Sequence, residues 1–291
     1  LKEPVAPDGY TVVSEFTFTV ENGIVTGNSA VTDGKVEKSE DGKTITITDD
    51  ISTIAINKQI ISNGEAKLVE DAEFELTIKD GPENFADVTI GEKTYETETK
   101  IEFAGNPTIT GLKDGTYVLK ETVAPDGYTV VSEFTFTVKN GIVTENSAVT
   151  NGEVEVSKDG KTITITDDIS RISIDKKDIT GENEVVGATL TLTNKDLSEA
   201  QWNKILEENS ALTAVEHGVT WTSTDKAVEI VGLLDGKYTL SETAANEAKT
   251  FVAKDGKTYT IVESDLTFEI KNGVIVTKED KTIDGAESKP K

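Results

Sequence analysis

Apolar and polar residues alternate with period two through most of the chain. Phe74-Glu75-Leu76-Thr77-Ile78 and Phe134-Thr135-Phe136-Thr137-Val138 each present one apolar and one polar face, as in a strand half buried in a sheet. Between such runs stand Asn63-Gly64, Asp114-Gly115, Asn140-Gly141 and Asp159-Gly160, pairs that suit tight hairpin turns. The pattern predicts an all-β chain of two-layer antiparallel sandwiches. One segment departs from it. From Asp196 to Asn209 the residues Trp202, Ile205 and Leu206 share one side of a helix, and Asp196 with Glu199 suits a capping box. A short helical insertion that adds a satellite piece of core is expected there.

The alternation is also repeated at long range. Residues 1–50 and 119–168 align without a gap and differ at only seven positions, an offset of 118 that points to tandem duplication in a stalk or array. The expected division is 1–50 as the C-terminal part of a cut repeat, 51–168 as a complete one, and 169–291 as another that stops short of its last strand. Few residues separate Asp167 from the run starting at Ile172, so neighbouring repeats are expected to be joined by a short linker into a stiff rod. The chain reads as a window cut from something longer.

Three strands end with an ionisable residue on the apolar face. Ile54, Ile56 and Lys58 fall together; so do Tyr117, Leu119 and Glu121, and Ile163, Ile165 and Asp167. A charge aimed into a core needs a partner or loses its charge. The pattern therefore suggests a buried Lys-Glu-Asp cluster near the sheet ends; otherwise each strand simply ends there and its side chain reaches water. The same offset relates Glu3 to Glu121, Asp49 to Asp167 and Lys58 to Lys176, and Tyr238-Thr239-Leu240-Ser241-Glu242 repeats the glutamate strand. Counted from Asn272, the acceptor strand of the last repeat would fall beyond Lys291, and Asp280 is the candidate acceptor only if the final hairpin is short. There the glutamate strand is followed by Asn246-Glu247-Ala248 and not by Pro-Asp-Gly-Tyr.

The lysine ending a first strand, the motif Tyr117-x-Leu119-x-Glu121-Thr122-x-Ala124-Pro125-x-Gly127-Tyr128, and the aspartate closing Thr162-Ile163-Thr164-Ile165-Thr166 together resemble the Cna B-type (SpaA-type), Ig-like or prealbumin-like β-sandwich repeats of Gram-positive pilins and surface adhesins. The glutamate motif is similar to the pilin E-box. The resemblance extends over essentially the whole chain. It implies a spontaneous isopeptide bond between Lys58 and Asp167, with Glu121 as proton shuttle. Burial favours a neutral amine facing a neutral acid, and fixed geometry favours their reaction. An aspartate acceptor would release water, an asparagine ammonia. The alternative is a buried ionic cluster of the same three residues without a bond.

Composition narrows the remaining choices. The net charge of -25 argues against nucleic acid and anionic membrane as partners. With no Cys, disulfides and cysteine-zinc sites are excluded, and no apolar run is long enough to span a membrane. His217 is the only histidine, which leaves little for a metal triad or a His-dependent hydrolase, and neither a calcium loop nor a phosphate loop can be read. No cofactor or metal is expected, and no enzymatic turnover beyond the single self-crosslink. The expected role is structural: stalk repeats of a bacterial cell-surface adhesin or pilus component, extracellular and wall-anchored through a region outside these residues, with neighbouring repeats of the same chain as partners. The alternative is a binding module whose last repeat contacts a host matrix protein or glycan.

Overall fold

The computed structural model describes residues 1–62, 64–243 and 248–276. It divides into two compact units, one of residues 1–124 with 130–168 and the other of residues 125–129 with those from 169 on.

The first unit holds two facing sheets. One is seven-stranded, with Thr53–Ser62 (the lysine strand) at its centre beside Thr162–Asp167 (the aspartate strand). The other is five-stranded, with Gly115–Val123 (the glutamate strand) between Glu73–Asp80 and Phe134–Lys139. Their apolar faces meet as the alternation requires. Ile54, Ile56, Ile163 and Ile165 from one sheet and Phe74, Leu76, Tyr117, Leu119 and Phe136 from the other form a single core. Each such side chain contributes about 1.5–3 kcal/mol by leaving water. Tyr117 stacks on Phe136 with ring centroids 5.5 Å apart and donates its hydroxyl to Lys113 O at 2.8 Å, so its one polar atom is satisfied.

One pairing departs from the expected antiparallel sandwich: the lysine and aspartate strands are parallel neighbours, Ile165 opposite Lys58 and Asp167 opposite Ile60. Parallel strands need a long crossover, and here the rest of the repeat supplies it. The first and last strands of residues 51–168 thereby lie side by side.

Residues 1–50 repeat the hairpins of 119–168 without the facing sheet. Phe18 is 41% exposed whereas its counterpart Phe136 is 1% exposed, although the local sequences are nearly the same. Burial here follows from the partner sheet, not from the strand. Asn22-Gly23 and Asn140-Gly141 make the same turn, with both residues at positive φ; Asn63 lies outside the described residues.

In the second unit a six-stranded sheet runs from Thr213–Val215 through Thr189–Thr193 and Gly236–Thr243 to Val274–Val276, while Arg171–Ile174 pairs with Val228–Val231. Its core includes Ile172, Leu192, Trp202, Trp221 and Tyr238. The helix is present as Glu199–Glu208, but it starts later than the sequence suggested: Ser198 is the N-cap and closes a capping box with Gln201, in place of Asp196 and Glu199. A hydroxyl that can both cap and be reached by the side chain three residues on wins over the upstream carboxylate, and the Asp196 N–H is instead bound by Asn194 Oδ1 at 3.0 Å. Trp202 and Ile205 are buried, as their spacing requires.

Candidate functional site: the Lys58, Glu121 and Asp167 cluster

Lys58, Glu121 and Asp167 come from three strands and both sheets, and the structure brings them to one place. Period two turns each of them inward behind two buried apolar residues on its own strand. Within the seven-stranded sheet Asp167 lies two residues beyond the register partner of Lys58, about 7 Å along the strand, a distance the lysine stem covers. Lys58 Nζ contacts Asp167 Oδ1. Glu121 reaches the same amine from the opposite sheet, with Oε1 3.0 Å from Nζ. Relative exposures of 0% for Lys58, 6% for Glu121 and 3% for Asp167 make the cluster dry.

Each member is held by groups that alternation alone does not reveal. Glu121 Oε2 accepts the Val131 N–H at 2.8 Å, closing the ten-residue loop that follows the strand. The backbone N–H of Lys58 donates to Asn106 Oδ1 at 2.5 Å, and Asn106 Nδ2 donates to Val69 O at 2.7 Å. The only sequence sign of this support is the run Gly105-Asn106-Pro107, which reads as a turn.

Burial is the main reason the Asp167 carboxyl is pushed up to about 8, and the neighbouring Glu121 carboxylate pushes in the same direction; Lys58 only partly opposes them. Near neutral pH, Asp167 is therefore largely a protonated acid. A protonated carboxyl has a carbonyl carbon open to attack, whereas a carboxylate resists a nucleophile. The arrangement thus offers an amine, an acid and a second carboxyl able to relay protons between them.

The flanking repeats carry parts of the same arrangement. Lys176 Nζ lies 2.9 Å from Glu242 Oε2, and that oxygen also accepts the Val262 N–H at 2.8 Å. Asp280, the proposed acceptor, and residues 244–247 of the altered turn lie outside the described residues. In residues 1–50, Glu3 Oε2 accepts the Val13 N–H at 2.8 Å, the same bond that Glu121 makes to Val131. Asp49 is raised above the usual carboxylate range by burial and by Glu3 beside it. Among the described residues no group of three or more His, Cys, Asp or Glu could hold a metal ion, and no helix is long and apolar enough to cross a membrane.

Comparison with known proteins adds a family. Residues 52–153 match the family model described as SpaA, prealbumin-like fold domain. None of the curated proteins compared with the chain matches it. Similar solved structures include a streptococcal ancillary pilin, 15% identical, with 95% of this chain and 74% of that one covered and a TM-score of 0.28. Another is the pilus adhesin SpaC of Lactobacillus rhamnosus GG, 16% identical, with 86% and 31% covered and a TM-score of 0.30, so this chain spans about a third of that adhesin. The shaft pilin SpaA of the same organism is 13% identical, with 76% and 94% covered and a TM-score of 0.23. The part of the sandwich that carries Lys58 and Glu121 is thus similar to the SpaA, prealbumin-like fold domain, and Asp167 lies beyond the matched residues.

Proposed function

We propose that the chain is a run of stalk repeats from a bacterial cell-surface adhesin or pilus component, and that its complete repeat locks itself with an amide between Lys58 and Asp167. The observation that carries this reading is the meeting of an amine and two carboxyls from three strands at one dry point inside the sandwich. The SpaA-type family match over residues 52–153, which include Lys58 and Glu121, supports it.

In the reaction the neutral Lys58 amine attacks Cγ of protonated Asp167. A C–N bond forms, and a C–O bond of the carboxyl breaks. The departing oxygen leaves as water after Glu121 has carried a proton from the amine to it. Lysine amine and aspartic acid thus become one amide and one water, with no outside reactant. Orientation supplies much of the rate, because intramolecular partners held at contact reach effective molarities of order 10⁵ M or more. The chain undergoes this once and turns over no external substrate. Its place is the extracellular surface of a Gram-positive cell, held to the wall by a region outside these residues.

Intact mass under denaturing conditions tests the bond. The protein is expected one water lighter than its calculated mass, and the Lys58→Ala variant is expected at its full calculated mass. A wild-type protein of full mass would reduce the three residues to a buried ionic cluster.

A further inference from the structure

The loop that Glu121 closes onto Val131 contains Ala124-Pro125-Asp126-Gly127-Tyr128-Thr129, and the loop from Glu3 to Val13 contains the same six residues at Ala6 to Thr11. In both copies this turn is occupied by the same partner, the linker serine and a glycine loop of the repeat that follows, a loop that joins strands of two different sheets. In the first unit the Ser52 N–H donates to Gly9 O at 2.8 Å, and the Gly111 N–H donates to Ser52 O at 2.9 Å. In the second unit the Ser170 N–H donates to Gly127 O at 2.8 Å, and the Gly232 N–H donates to Ser170 O at 2.9 Å. Each serine is fully buried, and its hydroxyl also donates to a backbone carbonyl, Gly141 O in one copy and Leu233 O in the other, both at 3.1 Å.

The glycines are required by this contact. Gly9 and Gly127 have φ of +83° and +87°, and a Cβ on either would lie 3.2 Å from the carbonyl oxygen of Gly111 or Gly232. On the other side, a Cβ on Gly141 would meet Tyr10 O at 2.6 Å, and a Cβ on Gly273 would press on Tyr128 O. Two backbones approach without side chains between them, at matched positions in both copies.

We propose that the Ala-Pro-Asp-Gly-Tyr-Thr turn is a docking element, through which each repeat is clipped by backbone hydrogen bonds to the linker serine and glycine loop of the next. The partner it fits is a following repeat with Ser after the Asp-Asp-Ile linker, a Gly-Leu loop like Gly111-Leu112 or Gly232-Leu233, and an Asn-Gly turn like Asn140-Gly141 or Asn272-Gly273. Because the loop is pinned at its base by the site glutamate, docking and the Lys-Glu-Asp site share one segment. The last repeat has Asn246-Glu247-Ala248 where the others have Pro-Asp-Gly. It therefore lacks the docking sequence.

The proposal rests on the tandem-repeat reading and not on the amide bond, so the two can fail separately. Amide hydrogen exchange on the whole chain tests it, with Gly9→Val and Gly127→Val as paired variants. In the wild type the Ser52, Gly111, Ser170 and Gly232 amides are expected to be protected. Gly9→Val is expected to lower protection of Ser52 and Gly111 roughly tenfold or more while leaving Ser170 and Gly232 unchanged, and Gly127→Val to do the reverse. Slowly exchanging amides of Leu76 and Leu119 report that the sandwich itself is folded in each variant. Unprotected serine amides in the wild type, or protection that survives both valines, would overturn the proposal.

Discussion

Replacing Glu121 with Gln removes the proton relay and leaves the packing. Glutamine has the same shape, can still accept the Val131 N–H, and leaves Lys58 and Asp167 as a charge-balanced pair, so no isolated charge is buried. What the variant should lose is the proposed bond. The bond would close a loop across a separation of 109 residues, and the chain-entropy model values a closure of this size at about 5 kcal/mol. Residues 51–168 number 168 − 50 = 118, which at about 2.1 cal/mol/K per residue gives an unfolding entropy near 0.25 kcal/mol/K. The expected drop in melting temperature for this repeat is therefore roughly 20 °C. Calorimetry on wild type and Glu121→Gln, each with its intact mass, makes the comparison. The variant should show its full calculated mass together with the lowered transition. A full-mass variant melting with the wild type would refute the claim that the bond holds the repeat together, and a variant still one water light would refute the role given to Glu121.

Further outcomes follow from the same geometry. Asp167→Asn should still crosslink, now losing one ammonia, which high-resolution mass spectrometry separates from one water. In Lys58→Met no amide can form, and Asp167, raised to about 8 against the opposing Lys58, is raised further once that amine is gone; it binds a proton in the fold that the unfolded chain releases near its ordinary value of 3.8, so stability is full below that value and falls as pH rises from there towards the raised value. Urea titrations of Lys58→Met at pH 5 and pH 8 should show the higher stability at pH 5, whereas the crosslinked wild type, having no Asp167 carboxyl left to titrate, should lack that slope. Pulled end to end, the bonded repeat should hide residues 59–166, 166 − 58 = 108 of them, which extended would add about 370 Å to the trace; that step should appear in Glu121→Gln alone. Ile165→Ala should cost about 2–5 kcal/mol by leaving a cavity beside the cluster, measured by urea titration in the Glu121→Gln background, where no bond is expected to hold the unfolded chain.

The strand faces were legible because period two is a local property. Lys58, Glu121 and Asp167 turn inward for the same reason that Ile56, Leu119 and Ile165 do, and reading one set of faces read the other. What local pattern could not supply was pairing. That Lys58 and Asp167 lie on parallel neighbours, and that Glu121 arrives from the facing sheet, depends on the order of strands over more than a hundred residues. The same limit explains residues 1–50, where near-identical sequence gives an exposed Phe18 in place of a buried Phe136. The helix was recognisable from Trp202 and Ile205, but its start was not, because two overlapping cap sequences compete and the hydroxyl of Ser198 prevails. Asn106 holds the Lys58 backbone through its side-chain amide and Val131 binds Glu121 through its backbone N–H; in sequence the first reads only as a turn and the second has no signature of its own.

The parallel pairing also decides what a bond at this position does. Tension on a tandem repeat enters near Thr53 and leaves after Asp167, the two ends of neighbouring strands. An amide from Lys58 to Asp167 would carry that tension through only the first few residues of the lysine strand and across the two joined side chains, so the core and the rest of both sheets would bear none of it. The docking turn begins three residues after Glu121 and is held at its far side by Val131. Hence the loop tied to the glutamate is also the loop through which the proposed clip would act. A substitution that loosens this loop, such as Val131→Pro, which removes the N–H bound by Glu121, should disturb both functions at once: slower crosslinking during refolding, and lost protection of the Ser170 amide. Loss of one without the other would show that the site and the clip are neighbours in sequence and nothing more.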